Sequence, residues 1–154
     1  MTSLAQLAAV LTISAAAAAV TYWVKGPPDR ALRCDPAALA PDEVCLERVT
    51  HEWQGRVLWI DARSRREWAR DGVAGSLLWN LDPDENMQAF EAAAVERMVD
   101  GARVLVYCGN ENCGTSRQVA ERIRKLDLGN EVFVLHGGWR ALAAANLTKH
   151  LQPK

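Results

Sequence analysis

Val104-Leu105-Val106-Tyr107-Cys108-Gly109-Asn110-Glu111-Asn112-Cys113-Gly114-Thr115 decides the fold. Four apolar residues without polar alternation read as a short strand covered on both faces. A Gly-bounded loop follows, and Thr115-Ser116-Arg117-Gln118 fits a capping box opening a helix. The inner face of that helix is Val119, Ala120, Ile123 and Leu126, and Gly129 ends it. A thiol set between a strand end and a helix N-terminus meets the positive end of the helix dipole and free backbone N–H groups. Both favour the thiolate at Cys108, and the same N–H groups can cradle a persulfide or small oxyanion.

Outward from this unit, strand and helix patterns alternate. Val57–Ile60 and Val132–Leu135 read as further buried strands, and Ser76–Leu81 as another short one. Asp42 caps a short helix through about His51 that buries Cys45, Leu46 and Val49, and Ser64–Arg70 forms one helical turn or two. Asp82-Pro83-Asp84-Glu85 opens a helix carrying Met87, Phe90, Ala94 and Met98 inward, with Gly101 as its stop. Gly137-Gly138-Trp139 turns into a last helix over Arg140–Asn146. Alternating strands and helices with short connections imply an α/β, three-layer domain around a central parallel sheet. The expected organisation is an apolar helix at 3–24, a linker at 25–40 containing Pro27, Pro28 and Pro36, and one domain at 41–150.

The 154 residues hold 18 Lys+Arg against 19 Asp+Glu, and every charged side chain lies after Val24. A net charge of −1 argues against nucleic-acid binding through a basic surface. Ser3–Val24, about 33 Å long as a helix, is long enough to cross a hydrocarbon core, with Tyr22 and Trp23 at the interfacial end. It reads as a single-pass membrane anchor; the competing readings are a signal peptide and an Ala-rich soluble helix. Lys25, Arg30 and Arg33 follow it, so the positive-inside bias would keep the domain cytoplasmic. Cys34 and Cys45 are either two unreactive thiols or a disulfide that would favour an oxidising exterior.

Several motifs in order resemble the rhodanese-like family. Trp59-Ile60-Asp61-Ala62-Arg63, then Glu67-Trp68 and Gly75-Ser76, resemble its strand, Asp-x-Arg, Glu-aromatic and Gly-Ala pattern. Val104–Cys108 with the following loop resembles its active-site region, and Val134-Leu135-His136-Gly137-Gly138-Trp139 its closing motif. The resemblance implies that Cys108 takes a sulfane sulfur from a small donor, holds it as a persulfide and passes it to a thiol acceptor. It implies no cofactor. The family's usual Gly-His is here Asp71-Gly72, and Leu142 stands at a usual Trp-like position. The loop is longer than the common form, contains Glu111, and has no Lys or Arg before Arg117, so it lacks the cationic character that would help bind thiosulfate.

The anion-binding loop comprises Gly109, Asn110, Glu111, Asn112, Gly114, Thr115, Ser116 and Arg117. Cys113 is a resolving thiol able to form a disulfide with Cys108, a packing residue, or the nucleophile itself. Asp61 and Arg63 read as a supporting ion pair, and His136 as a structural histidine or one that reaches the site. Arg117 is a solvated helix residue or an anion contact. No Cys-x2-Cys knuckles suggest a metal, and no thioredoxin motif is present. Cys-x5-Arg chemistry is disfavoured because Gly114 holds the arginine position. Two further readings keep the fold: a thiol redox protein cycling Cys108–Cys113, and a non-catalytic membrane-tethered module whose protein partner is unknown.

Overall fold

The computed structural model describes residues 3–25, 33–98, 101–109 and 114–149. The chain divides into two compact units, Met1–Arg30 and Ala31–Lys154. In the first, α1 (Ser3–Lys25) contains an 18-residue window, Gln6–Trp23, of mean hydropathy 1.4. The hydroxyls of Thr12 and Thr21 donate back to the carbonyls of Ala8 and Ala17, which satisfies them within the helix. This helix is long and apolar enough to cross a membrane, a property it shares with signal sequences.

The second unit is a five-stranded parallel sheet: β1 (Glu43–Val44), β2 (Val57–Asp61), β3 (Leu77–Leu78), β4 (Arg103–Tyr107) and β5 (Val132–Leu135). The spatial order is β1-β5-β4-β2-β3, so β4 is central. Its register is Trp59↔Leu105 with β2 and Val106↔Val134 with β5. The helices are α2 (Leu46–His51), α3 (Arg65–Asp71), α4 (Met87–Met98), α5 (Gly114–Arg124) and α6 (Gly138–Ala144). Alternate strand residues face opposite layers. Ile60, Val104, Val106 and Val134 pack with Phe90 and Ala94 of α4 and with Val119, Ala120 and Ile123 of α5. Leu105, Tyr107 and Leu135 pack with Val49 of α2 and Leu142 of α6. Val104 through Tyr107 are wholly buried, as expected of a strand covered on both faces.

Three local expectations are corrected. Asp42 does not cap α2: Cys45 is the N-cap residue, Glu43–Val44 pair with β5, and the Asp42 carboxylate accepts from Arg124 Nη2 at 2.9 Å. α4 starts at Met87, and its first turn is capped by Asn86, whose Oδ1 accepts from Ala89 N at 3.1 Å. Asp82 instead makes a local turn by accepting from Asp84 N at 3.1 Å. α5 is already helical at Gly114, so Thr115 lies inside it, and the position before Gly114 falls outside the described residues.

The stretch from Arg33 onward is more than a linker. Asp35 caps a short turn at Pro36–Ala38, and Cys34 is bonded to Cys45 with a Cα–Cα distance of 5.7 Å. Of the two readings for these cysteines, the structure shows the disulfide.

Candidate functional site

The carboxyl ends of β2, β4 and β5 are tied together by main-chain hydrogen bonds. Ala62 N donates to Tyr107 O at 2.8 Å, and Trp139 N donates to Cys108 O at 2.6 Å. These bonds set Cys108 between the segment after β2 and the Gly137-Gly138 turn after β5, where open parallel sheets bind ligands. Gly137 is in the left-handed region (φ 74°) as the N-cap of α6, which a side chain there would strain. Cys108 is 2 % exposed and belongs to the α4–α5 side of the core.

Gly109 follows in open surroundings, where an added Cβ would meet nothing within 4 Å. Asn110, Glu111, Asn112 and Cys113 lie outside the described residues. The chain resumes with Gly114 opening α5, where Thr115 is half-buried and Ser116 buried. Thr115 lines a cavity of about 310 Å³ together with Ala62, Ser64, Asn80, Leu81 and Asp82, at the same end of the sheet.

On the opposite face, Asp61 and Arg63 anchor a buried network. The Arg63 guanidinium donates to Asp61 Oδ2 (2.8 Å) and Asp71 Oδ1 (2.9 Å), and the Arg63 amide donates to Asp61 Oδ1 (2.9 Å). The Tyr107 hydroxyl donates to Asp61 Oδ2 at 2.8 Å and accepts from Val73 N at 3.0 Å. Trp139 Nε1 donates to the Asp71 carbonyl (3.0 Å), and the Arg63 guanidinium lies 5.2 Å from the Trp139 ring centroid. Burial opposes the Arg63 charge, but the Asp61 and Asp71 carboxylates outweigh it and hold its pKa above the ordinary value. Desolvation and the neighbouring Asp61 charge push the Tyr107 phenol upward, so it stays a neutral donor. The pair thus braces the turns on either side of Cys108 and does not itself face the thiol.

His136 and Arg117 converge on a residue that the sequence pattern did not single out. His136 Nδ1 lies 3.0 Å from Glu43 Oε1, and Arg117 Nη2 lies 3.8 Å from Glu43 Oε2. Arg117 is more than half exposed, so its pairing with Glu43 is the weaker of the two. Glu43 was hidden because β1 is only two residues long. Its one sequence signal is a carboxylate directly before the buried Val44-Cys45 pair. Tyr107 and Asp71 were also missed; an aromatic hydroxyl at a wholly buried strand position was the available clue, since it demands partners. Among the described residues, no cluster of three or more His, Cys, Asp or Glu is placed to hold a metal ion.

The Rhodanese-like domain model matches residues 48–145. The chain therefore belongs to the rhodanese-like domain family. No curated protein is similar to the chain at a significant level. Among solved structures, the reduced CoADR-RHD of Bacillus anthracis is 20 % identical with a TM-score of 0.45; the match covers 67 % of this chain and 17 % of that one. A Rhodopseudomonas palustris protein of unknown function, described as a possible tyrosine phosphatase, is 21 % identical with a TM-score of 0.40, covering 63 % of this chain and 73 % of that one.

Proposed function

We propose that this chain is a sulfurtransferase or persulfide carrier in which Cys108 takes up sulfane sulfur and passes it to a thiol acceptor. The observation that supports this most is the place of Cys108. It is the first residue past the central strand β4, between the turns after β2 and β5, six residues before α5 opens at Gly114. An attack by its thiolate on the outer sulfur of a donor forms a Cys108 persulfide and releases the donor's remainder as a thiol. No cofactor is needed for this transfer. In place of transfer to an external acceptor, Cys113 acts as a resolving thiol: it attacks the Cys108 sulfur, displaces the outer sulfur as hydrosulfide and leaves a Cys108–Cys113 disulfide that an external dithiol reductant must reopen.

The site works at a membrane surface, held there by α1. The Cys34–Cys45 disulfide favours an oxidising compartment over the cytoplasmic side that Lys25, Arg30 and Arg33 favour. Mass spectrometry of the full chain after incubation with polysulfide tests the reading. A gain of about 32 Da, one sulfur atom, mapped to Cys108 supports it. A Cys108–Cys113 disulfide formed without any sulfur donor would instead support a redox protein. Sulfur transfer that survives Cys108→Ser would remove the nucleophile assignment.

A further inference from the structure

The two cysteines of the Cys34–Cys45 bridge line different cavities. Cys34 borders one of about 290 Å³, shared with Leu46 and Glu47 of α2 and with Ala141 and Ala144 of α6. Cys45 borders another of about 610 Å³, shared with Pro36 and Pro41. Their access differs: Cys34 is half-buried, whereas Cys45 is only 4 % exposed. Glu47 and Ala144 are exposed, so the first cavity opens to solvent. Disulfides that solvent reaches are the ones that exchange with thiols. The bridge thus presents Cys34 to an incoming thiolate and keeps Cys45 in the core as the leaving group.

We propose that the Cys34–Cys45 bridge is a second thiol-reactive site, where a small aminothiol enters the cavity between α2 and α6 and opens the bridge at Cys34. This site stands independently of sulfur uptake at Cys108. The aminothiol's thiolate attacks Cys34 Sγ, and the new S–S bond forms as the bond to Cys45 breaks. The electron pair leaves on Cys45 Sγ, which takes a proton from water. A second aminothiol then attacks the sulfur of the first. It leaves Cys34 as a thiol and carries the pair away as a small disulfide. Two aminothiols are oxidised and one bridge is reduced.

The lining selects the class of thiol. Leu46, Ala141 and Ala144 offer apolar surface to a short methylene chain. Among the described residues lining the cavity, Glu47 is the carboxylate and no Lys or Arg opposes it. His136 is the other titratable group there, its Nδ1 held 3.0 Å from Glu43 Oε1. Arg33 and Asp35, both exposed, flank Cys34 with opposite signs and offset one another. The charge beside the attacked sulfur is therefore negative, which suits an ammonium on the thiol and disfavours a sulfonate or carboxylate.

The test exposes the oxidised full chain in detergent, without oxygen, to cysteamine or to 2-mercaptoethanesulfonate. The reaction is quenched in acid, and peptide fragmentation between positions 34 and 45 locates the mixed disulfide. Each rate is divided by that of the same thiol on the urea-unfolded chain, which removes the reagents' intrinsic difference. In the folded chain the adduct should sit on Cys34 in about tenfold excess over Cys45. Cysteamine should react about threefold faster than the sulfonate at low ionic strength, and 1 M salt should erase the gap. Glu47→Gln, a change at an exposed position, should erase it too. A folded chain that forms no adduct, or forms it equally on both cysteines as in urea, would overturn the proposal. Equal rates for the two thiols at low salt would overturn the aminothiol as the ligand.

Discussion

Tyr107 stands one position before Cys108 and points to the opposite side of the sheet, where its hydroxyl bonds both Asp61 and Val73. Tyr107→Phe leaves a buried amide and a buried carboxylate oxygen each short of one partner. It should cost about 1–3 kcal/mol of unfolding free energy, measured by urea denaturation. Gly72, which stands where the family's usual histidine would fall, is closely surrounded. A Cβ at Gly72 would sit 2.7 Å from the Trp68 carbonyl oxygen and 3.3 Å from Asp61 Oδ2. Gly72→Ala should therefore destabilise by about 1–3 kcal/mol in the same assay, and Gly72→His by more. Asp71 adds a pH dependence. Burial pushes its carboxyl up, but Arg70 and Arg63 outweigh burial and hold it below the ordinary 3.8. A depressed carboxylate stabilises the fold above its unfolded pKa, and that contribution is lost as pH falls through the lower folded value. Acid titration followed by near-UV circular dichroism should show a steep loss below about pH 4 that Asp71→Asn makes shallower.

Among the elements, those with a long periodic face were legible in the sequence and those defined by few residues were not. β4 and β5 announced themselves as apolar runs. The inward Phe90, Ala94 and Met98 of α4 recurred at helical spacing and are all buried. β1 is two residues long, too short for any periodicity, and only its pairing with β5 makes it a strand. The helix starts slipped for a related reason. Aspartates at 42 and 82 have the chemistry of caps, yet tertiary partners or a local turn claimed their carboxylates first. At the site, the strand-end thiol and the Asp61–Arg63 pair were readable from local motif. The meeting of Glu43 with His136 was not, because it joins positions 93 residues apart through the sheet order. Asn86→Ala should cost about 1 kcal/mol by removing the cap of α4, measured as a fall in the denaturation midpoint. Cys34→Ser should lower stability by about 2–3 kcal/mol and expose the 35–44 segment to limited proteolysis.

At the scale of the whole molecule, α1 and the domain contribute separate properties. In the reading proposed here, the full chain should remain in the membrane pellet after alkaline carbonate extraction. A membrane-impermeant protease added to intact cells should reach the domain only if it lies outside the cytoplasm. The disulfide also determines how the domain would bear a mechanical load. A pull arriving along the N-terminal segment reaches Cys34 and crosses the sulfur bridge directly to Cys45, at the foot of α2. The intervening segment and the two-residue edge strand β1 are thereby taken out of the line of force. With the bridge reduced, the same pull passes through β1 and unzips it from β5. Glu43 would be drawn away from His136 with it, so the bridge shields the pairing of the edge strand with β5 from tension.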